Sequence, residues 1–109
     1  MESTLILVAM EYWIQVDPAE LTKEKAKARE LRQSQWWKNK RAKSQCYYCE
    51  KKFNAKELTM DHVVPLSRGG KSTKSNIVCC CKNCNTQKKN LLPTEWESYL
   101  IHHREKKLK

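Results

Sequence analysis

Two pairs of cysteines, Cys46-x2-Cys49 and Cys81-x2-Cys84, stand 31 residues apart and could close a tetrahedral site around one Zn²⁺ ion. Each pair lies in a short polar stretch, CYYCEKKF and CKNCNTQ, where two sulfurs can turn toward one ion. Four thiolates leave no open coordination position, so such a zinc is expected to be structural and not catalytic. Cys80-x3-Cys84 is a second conceivable pairing. Cys79 and Cys80 also read as small apolar residues on the two faces of a strand through IVCCC. A disulfide framework for all six cysteines would need an oxidising compartment. The remaining residues suited to chemistry are Asp61, His62, Asn76 and Asn85. Singly, each has a plain structural use: a surface or hydrogen-bonded histidine, an asparagine that starts a strand, another that caps a helix.

The elements that must position these residues follow from patterning. ELTMDHVVPL and NIVCCC are short β-prone runs separated by a polar, Gly-containing loop, Ser67 to Ser75. CNTQKKNLL fits a short helix after the second run. Thr94 with Glu97 forms a capping box before a closing helix that carries Trp96, Tyr99 and Leu100 as its apolar contacts. Upstream, Asp17-Pro18-Ala19-Glu20 has the form of a helix start, and a helix is expected from about Pro18 to near Lys40. Its apolar stripe is thin (Leu21, Ala28, Leu31), so it should lie along the surface. Trp36 and Trp37 near its end could stack on bases or anchor the helix to a small core, and the anchor is preferred. STLILVAMEYWIQV, at the start, reads as a strand or partly buried arm, or as the first turns of a helix. The expected organisation is an arm and basic helix over residues 1–43 and a functional domain over 44–109, in one compact unit.

The net charge of +10 is unevenly spread. Residues 1–22 hold four acids and no Lys or Arg, which leaves +14 on everything after Thr22. Such a segment should seek a polyanion, nucleic acid foremost. The longest apolar run, Leu5 to Met10, is far short of the ~20 residues that span a bilayer. No basic amphipathic helix with a broad apolar face suggests a membrane-surface adaptor. An acid at position 2 and a short apolar run argue against a signal peptide, and the expected location is cytoplasmic.

Taken together, CYYC, MDHVVPLSRGG, SNIV and CKNCNTQKK match in order, over residues 46–89, the pattern of the HNH nuclease family, which the chain resembles. The resemblance implies an α+β architecture: a ββα-metal (His-Me finger) domain with a four-cysteine zinc ribbon, flanked by the basic helix and the closing helix. By the same resemblance His62 is the general base that takes a proton from the attacking water, a task suited to an imidazole of pKa about 6.5. Asp61 is the carboxylate ligand of a catalytic ion, and Asn76 holds the metal loop and the base in place. Asn85 stands where the motif has its last His. An Asp with an Asn amide suits Mg²⁺ or Mn²⁺, loosely held, better than Zn²⁺. Asp61 and His62 are neighbours that would point to opposite faces of a regular strand, so the strand must be twisted or interrupted there.

The implied activity is metal-dependent hydrolysis of DNA phosphodiester bonds, with Arg68, Lys88 and Lys89 as candidate phosphate contacts. One site per chain predicts a nick by a monomer or weak dimer, and the resemblance suggests a prokaryotic or phage-encoded protein. The rival reading is a non-catalytic zinc-ribbon DNA-binding module in which Asp61 and His62 only support structure. His102 and His103 match no motif and read as surface residues.

Overall fold

Asp17 opens the first described helix, α1 (Pro18–Arg32), by accepting a hydrogen bond from the Ala19 amide, with Pro18 in the first turn. The structure is a computed structural model that describes residues 16–108, with side chains for 16–101. The apolar N-terminal stretch and the side chains of His102 and His103 lie outside the described residues.

The long helix expected to reach Lys40 is two helices. Ser34 takes an extended conformation and its hydroxyl accepts from the Trp37 amide, which starts α2 (Gln35–Arg41) on a new axis. A serine competes with helix continuation through this bond, and helical patterning alone does not register that competition. The break lets Trp37 turn inward to 3 % exposure as the expected anchor, while Trp36 stays half-buried under the Lys40 and Lys74 ammonium groups. We predict that Ser34→Ala costs about 0.5–2 kcal/mol, to be read from urea unfolding.

After the first cysteine knuckle, β1 (Leu58–His62) pairs antiparallel with β2 (Ile77–Cys81), Leu58 opposite Cys81 and His62 opposite Ile77. Every residue of β2 is buried, so Cys79 and Cys80 pack as small apolar groups on its two faces. The connecting loop turns at Gly69, whose φ of +92° favours glycine, and at Gly70, where a Cβ would overlap the Val64 carbonyl. Two further helices follow, α3 (Lys82–Lys88) and α4 (Pro93–Leu108). Pro93 occupies the first helical position of α4, so Thr94 sits inside the first turn and is not the cap expected from the sequence.

This is a small α+β fold with a two-stranded sheet and four α-helices among the described residues. Its core joins Trp37, Tyr48, Leu58, Ile77, Val78 and Trp96 with the buried cysteines 46, 79, 80, 81 and 84. No helix of the described residues is long and apolar enough to cross a membrane.

Candidate active site

The knuckle cysteines converge. The Sγ atoms of Cys46, Cys49, Cys81 and Cys84 all lie within 4.8 Å of one another, with Cys49 and Cys81 3.9 Å apart. A Zn–S length of about 2.3 Å makes a tetrahedral edge of about 3.8 Å, so the four could hold a metal ion such as zinc. Cys81 is the member, and Cys80 stays outside the group. The Cys80 thiol instead donates a hydrogen bond to the Cys46 sulfur, which holds the Cys46 pKa down to about 3, whereas burial pushes the Cys49 and Cys84 thiols up. Four thiolates this close repel one another, and a divalent cation is what would let all of them lose their protons.

The first knuckle and α3 also build the surroundings of Asp61. This carboxylate is 7 % exposed; its Oδ2 accepts from the Tyr48 hydroxyl at 2.5 Å and from Lys88 Nζ at 3.2 Å. Lys88 has no exposed surface, and its ammonium also donates to the His62 carbonyl at 3.0 Å. Phosphate contact was expected of Lys88, but the structure points its charge into the core, where it compensates the buried carboxylate. Arg68 differs from expectation in the same way: it is 9 % exposed and its guanidinium pairs with Glu95 at 3.1 Å. Lys89, by contrast, is exposed. We predict that Lys88→Met, by leaving Asp61 charged and unpaired, destabilises the protein by about 3–5 kcal/mol. Denaturant unfolding should show this loss, and Asp61→Asn on top of it should return part of the stability.

Asn76 and Asn85 are each fixed by hydrogen bonds. The Asn76 Oδ1 accepts from the Val64 amide, and its Nδ2 donates to the carbonyls of Val64 and Lys71, so this one side chain holds both ends of the 63–71 loop. The orientation of the Asn85 amide follows from counting hydrogens. Thr59 has one hydroxyl hydrogen and places it on the Cys80 carbonyl at 2.8 Å, so it can only accept from Asn85 Nδ2 at 3.0 Å. The Asn85 Oδ1 is left out of that bond.

His62 ends β1, and its Nε2 lies 2.9 Å from the Ser72 hydroxyl. Burial is the largest effect on its pKa and lowers it from 6.5, opposed by the Asp61 charge and helped by Arg32, so the imidazole is neutral at pH 7. The neighbours Asp61 and His62 thus have different partners, Asp61 toward Tyr48 and α3 and His62 toward Ser72 and α1. Both nevertheless line one cleft of about 380 Å³, because the strand ends at His62 and the chain bends away over Val63 and Val64. Asn85 and Lys89 line it too, together with Lys25 of α1. A recess beside it brings Lys25, Arg29 and Arg32 of α1 alongside His62.

Sequence reasoning passed over Tyr48, Thr59, Ser72 and Glu24. Glu24 had a legible signal: it is an acid on the same helical stripe as Leu21, Ala28 and Leu31, and it is buried. Tyr48 sits between the two cysteines of the first knuckle beside Tyr47, and only the fold separates them: Tyr48 is buried and Tyr47 is exposed.

A family model described as HNH endonuclease matches residues 46–100, just over half of the chain and including the first turns of α4. No curated protein matches.

Proposed function

Since the chain belongs to the HNH endonuclease family, we propose that it is a metal-dependent DNA endonuclease that hydrolyses phosphodiester bonds and nicks one strand per active site. The observation that carries this reading is the shared cleft: a hard carboxylate (Asp61), an amide with a spare oxygen (Asn85) and a neutral imidazole (His62) open onto one space beside exposed cations.

His62 takes the proton of the attacking water. Asn76 keeps the loop after β1 folded against the start of β2, which fixes where the imidazole stands. Tyr48 and Lys88 hold Oδ2 of Asp61 and leave its other oxygen for a cation. Asp61 and Asn85 would hold a hard divalent ion, Mg²⁺ or Mn²⁺, to which a carboxylate and an amide oxygen are suited ligands. The chemistry such an ion would supply there is neutralisation of charge on the phosphorus oxygens and on the departing 3′ oxygen. Phosphate contacts fall to Lys89 and to Lys25, Arg29 and Arg32, while Arg68 and Lys88 serve the structure. We assign residues 44–109 to the nuclease unit and residues 1–43 to an arm and basic helices that supply affinity, with a monomer or weak dimer acting on DNA in the cytoplasm.

The test is conversion of supercoiled plasmid to the nicked form by protein with Mg²⁺ or Mn²⁺, at several salt concentrations. Binding should weaken steeply with salt, since each phosphate contact releases a counterion. If the protein shifts DNA on a gel but leaves it intact with either metal, it is a zinc-ribbon binding module. That reading has one observation in its favour, the pairing of Asp61 with Lys88, which already satisfies the buried carboxylate.

A further inference from the structure

The contact of His62 with the Ser72 hydroxyl leads back to α1. Ser72 Oγ lies 2.6 Å from the backbone carbonyl of Glu24, and the Ser72 amide donates to the Glu24 carboxylate at 2.6 Å. Both residues are buried, Glu24 at 3 % and Ser72 at 6 % exposure. A carbonyl can only accept, so the single hydroxyl hydrogen of Ser72 lies between Oγ and the Glu24 oxygen. Toward His62 the same Oγ then has only lone pairs to offer. The Nε2 atom, 2.9 Å away, must therefore carry the hydrogen, and in the neutral imidazole the lone pair is left on Nδ1.

We infer that α1 is a working part of the active centre: Ser72, clamped by Glu24, is a positioning residue that fixes His62 as its Nε2–H tautomer and leaves Nδ1 to accept the proton of water. Glu24 lies upstream of the family match at 46–100, so a helix outside that stretch sets the state of the base. The clamp is two-point. The Glu24 carboxylate takes the Ser72 amide and its backbone takes the hydroxyl, so Ser72 cannot rotate its hydrogen toward the imidazole without losing the second bond. The Ser72 amide, and after it the Lys27 ammonium, favour the charged form of the Glu24 carboxylate, with a smaller effect from Lys71. The base protonated on Nδ1, the wrong tautomer, would have no lone pair at that atom, so losing the clamp would lower the turnover rate both through the tautomer mixture and through an imidazole no longer held in place.

The inference rests on the reading of His62 as the base, and the experiment separates the two. In zinc-loaded full-length protein with ¹⁵N-labelled histidine, long-range ¹H–¹⁵N correlation identifies the tautomer of His62, assigned with His62→Ala and read without DNA or turnover. The wild type should show Nε2–H alone. Ser72→Ala should bring in the Nδ1–H form and lower kcat about 10–100-fold, with DNA affinity and zinc content unchanged. Ser72→Thr, which keeps a hydroxyl, should restore the Nε2–H signal. Wild-type His62 found as Nδ1–H overturns the inference, whatever the variants do. Full kcat in Ser72→Ala, where His62→Ala is inactive, overturns it while leaving the base reading intact. Nicking by His62→Ala overturns the base reading, and the catalytic use of the clamp goes with it.

Discussion

Stripping the metal from the four-cysteine cluster is expected to unfold the protein. A chain of 109 residues has a net stability of about 5–15 kcal/mol. Structural zinc in small domains contributes about 10–16 kcal/mol at neutral pH. Such a contribution matches or exceeds the whole net stability, so its loss would leave no margin for the folded state. The core explains the dependence: five of its eleven buried residues are cysteines, and its sheet has two strands of five residues. Two such strands do not stand alone in water without a partner to pack on. The two knuckles bring the turn before β1 against the end of β2 and the start of α3, so one ion held there would join segments more than thirty residues apart. The expected measurements are one zinc per chain by elemental analysis, loss of the near-ultraviolet circular dichroism of Trp37 and Trp96 on chelation, and recovery on adding zinc back. Cys84→Ser should behave like the chelated protein. Cys79→Ala should keep its zinc and lose no more than about 2 kcal/mol, because Cys79 is a packing residue and no member of the cluster. A protein that keeps its fold and its melting transition in excess chelator would remove zinc from the account.

The second large effect is on turnover. His62→Ala should lower the nicking rate by about 10²–10⁴-fold, the range for loss of a general base. Gel-shift affinity for the same DNA should change little, since the phosphate contacts proposed above are assigned to α1 and Lys89 and not to the imidazole. The pH profile supplies a second reading. A general base works only when neutral, and burial lowers the pKa of His62 below 6.5. The rate should therefore be level at neutral pH and fall only as pH drops through a value below 6.5. A cation held by Asp61 would push that value further in the same direction. A midpoint above 6.5 would contradict the environment described for His62, and undiminished nicking by the alanine variant would assign the base to another group.

Much of the site could be read directly from the chain, and the divide between what could and what could not is physical. The x2 spacing of each knuckle is local geometry: two sulfurs separated by two residues can meet one ion regardless of the remainder, so Cys46, Cys49, Cys81 and Cys84 were legible as a set. So were the two strands and the short helix after them, since a β-prone run bounded by polar turns is also a local pattern. The break at Ser34 was less so, because a serine hydroxyl that captures an amide three residues on outweighs a helical pattern that continues on both sides.

Roles that depend on burial are a different matter. Lys88 and Arg68 look in the sequence like any other cations of a basic protein, and packing alone turns one toward Asp61 and the other toward Glu95. A charge enters the interior only where a partner waits for it, and that partner is 27 residues away in each case. The clamp on His62 spans more: Glu24 and Ser72 are 48 positions apart and meet because α1 packs across the loop between the strands. Local chemistry was thus enough to say which atoms could bind metal or take a proton. Which way the imidazole holds its hydrogen, and which lysines are free to meet a phosphate, was decided by folding, because only folding determines what lies on the far side of each group.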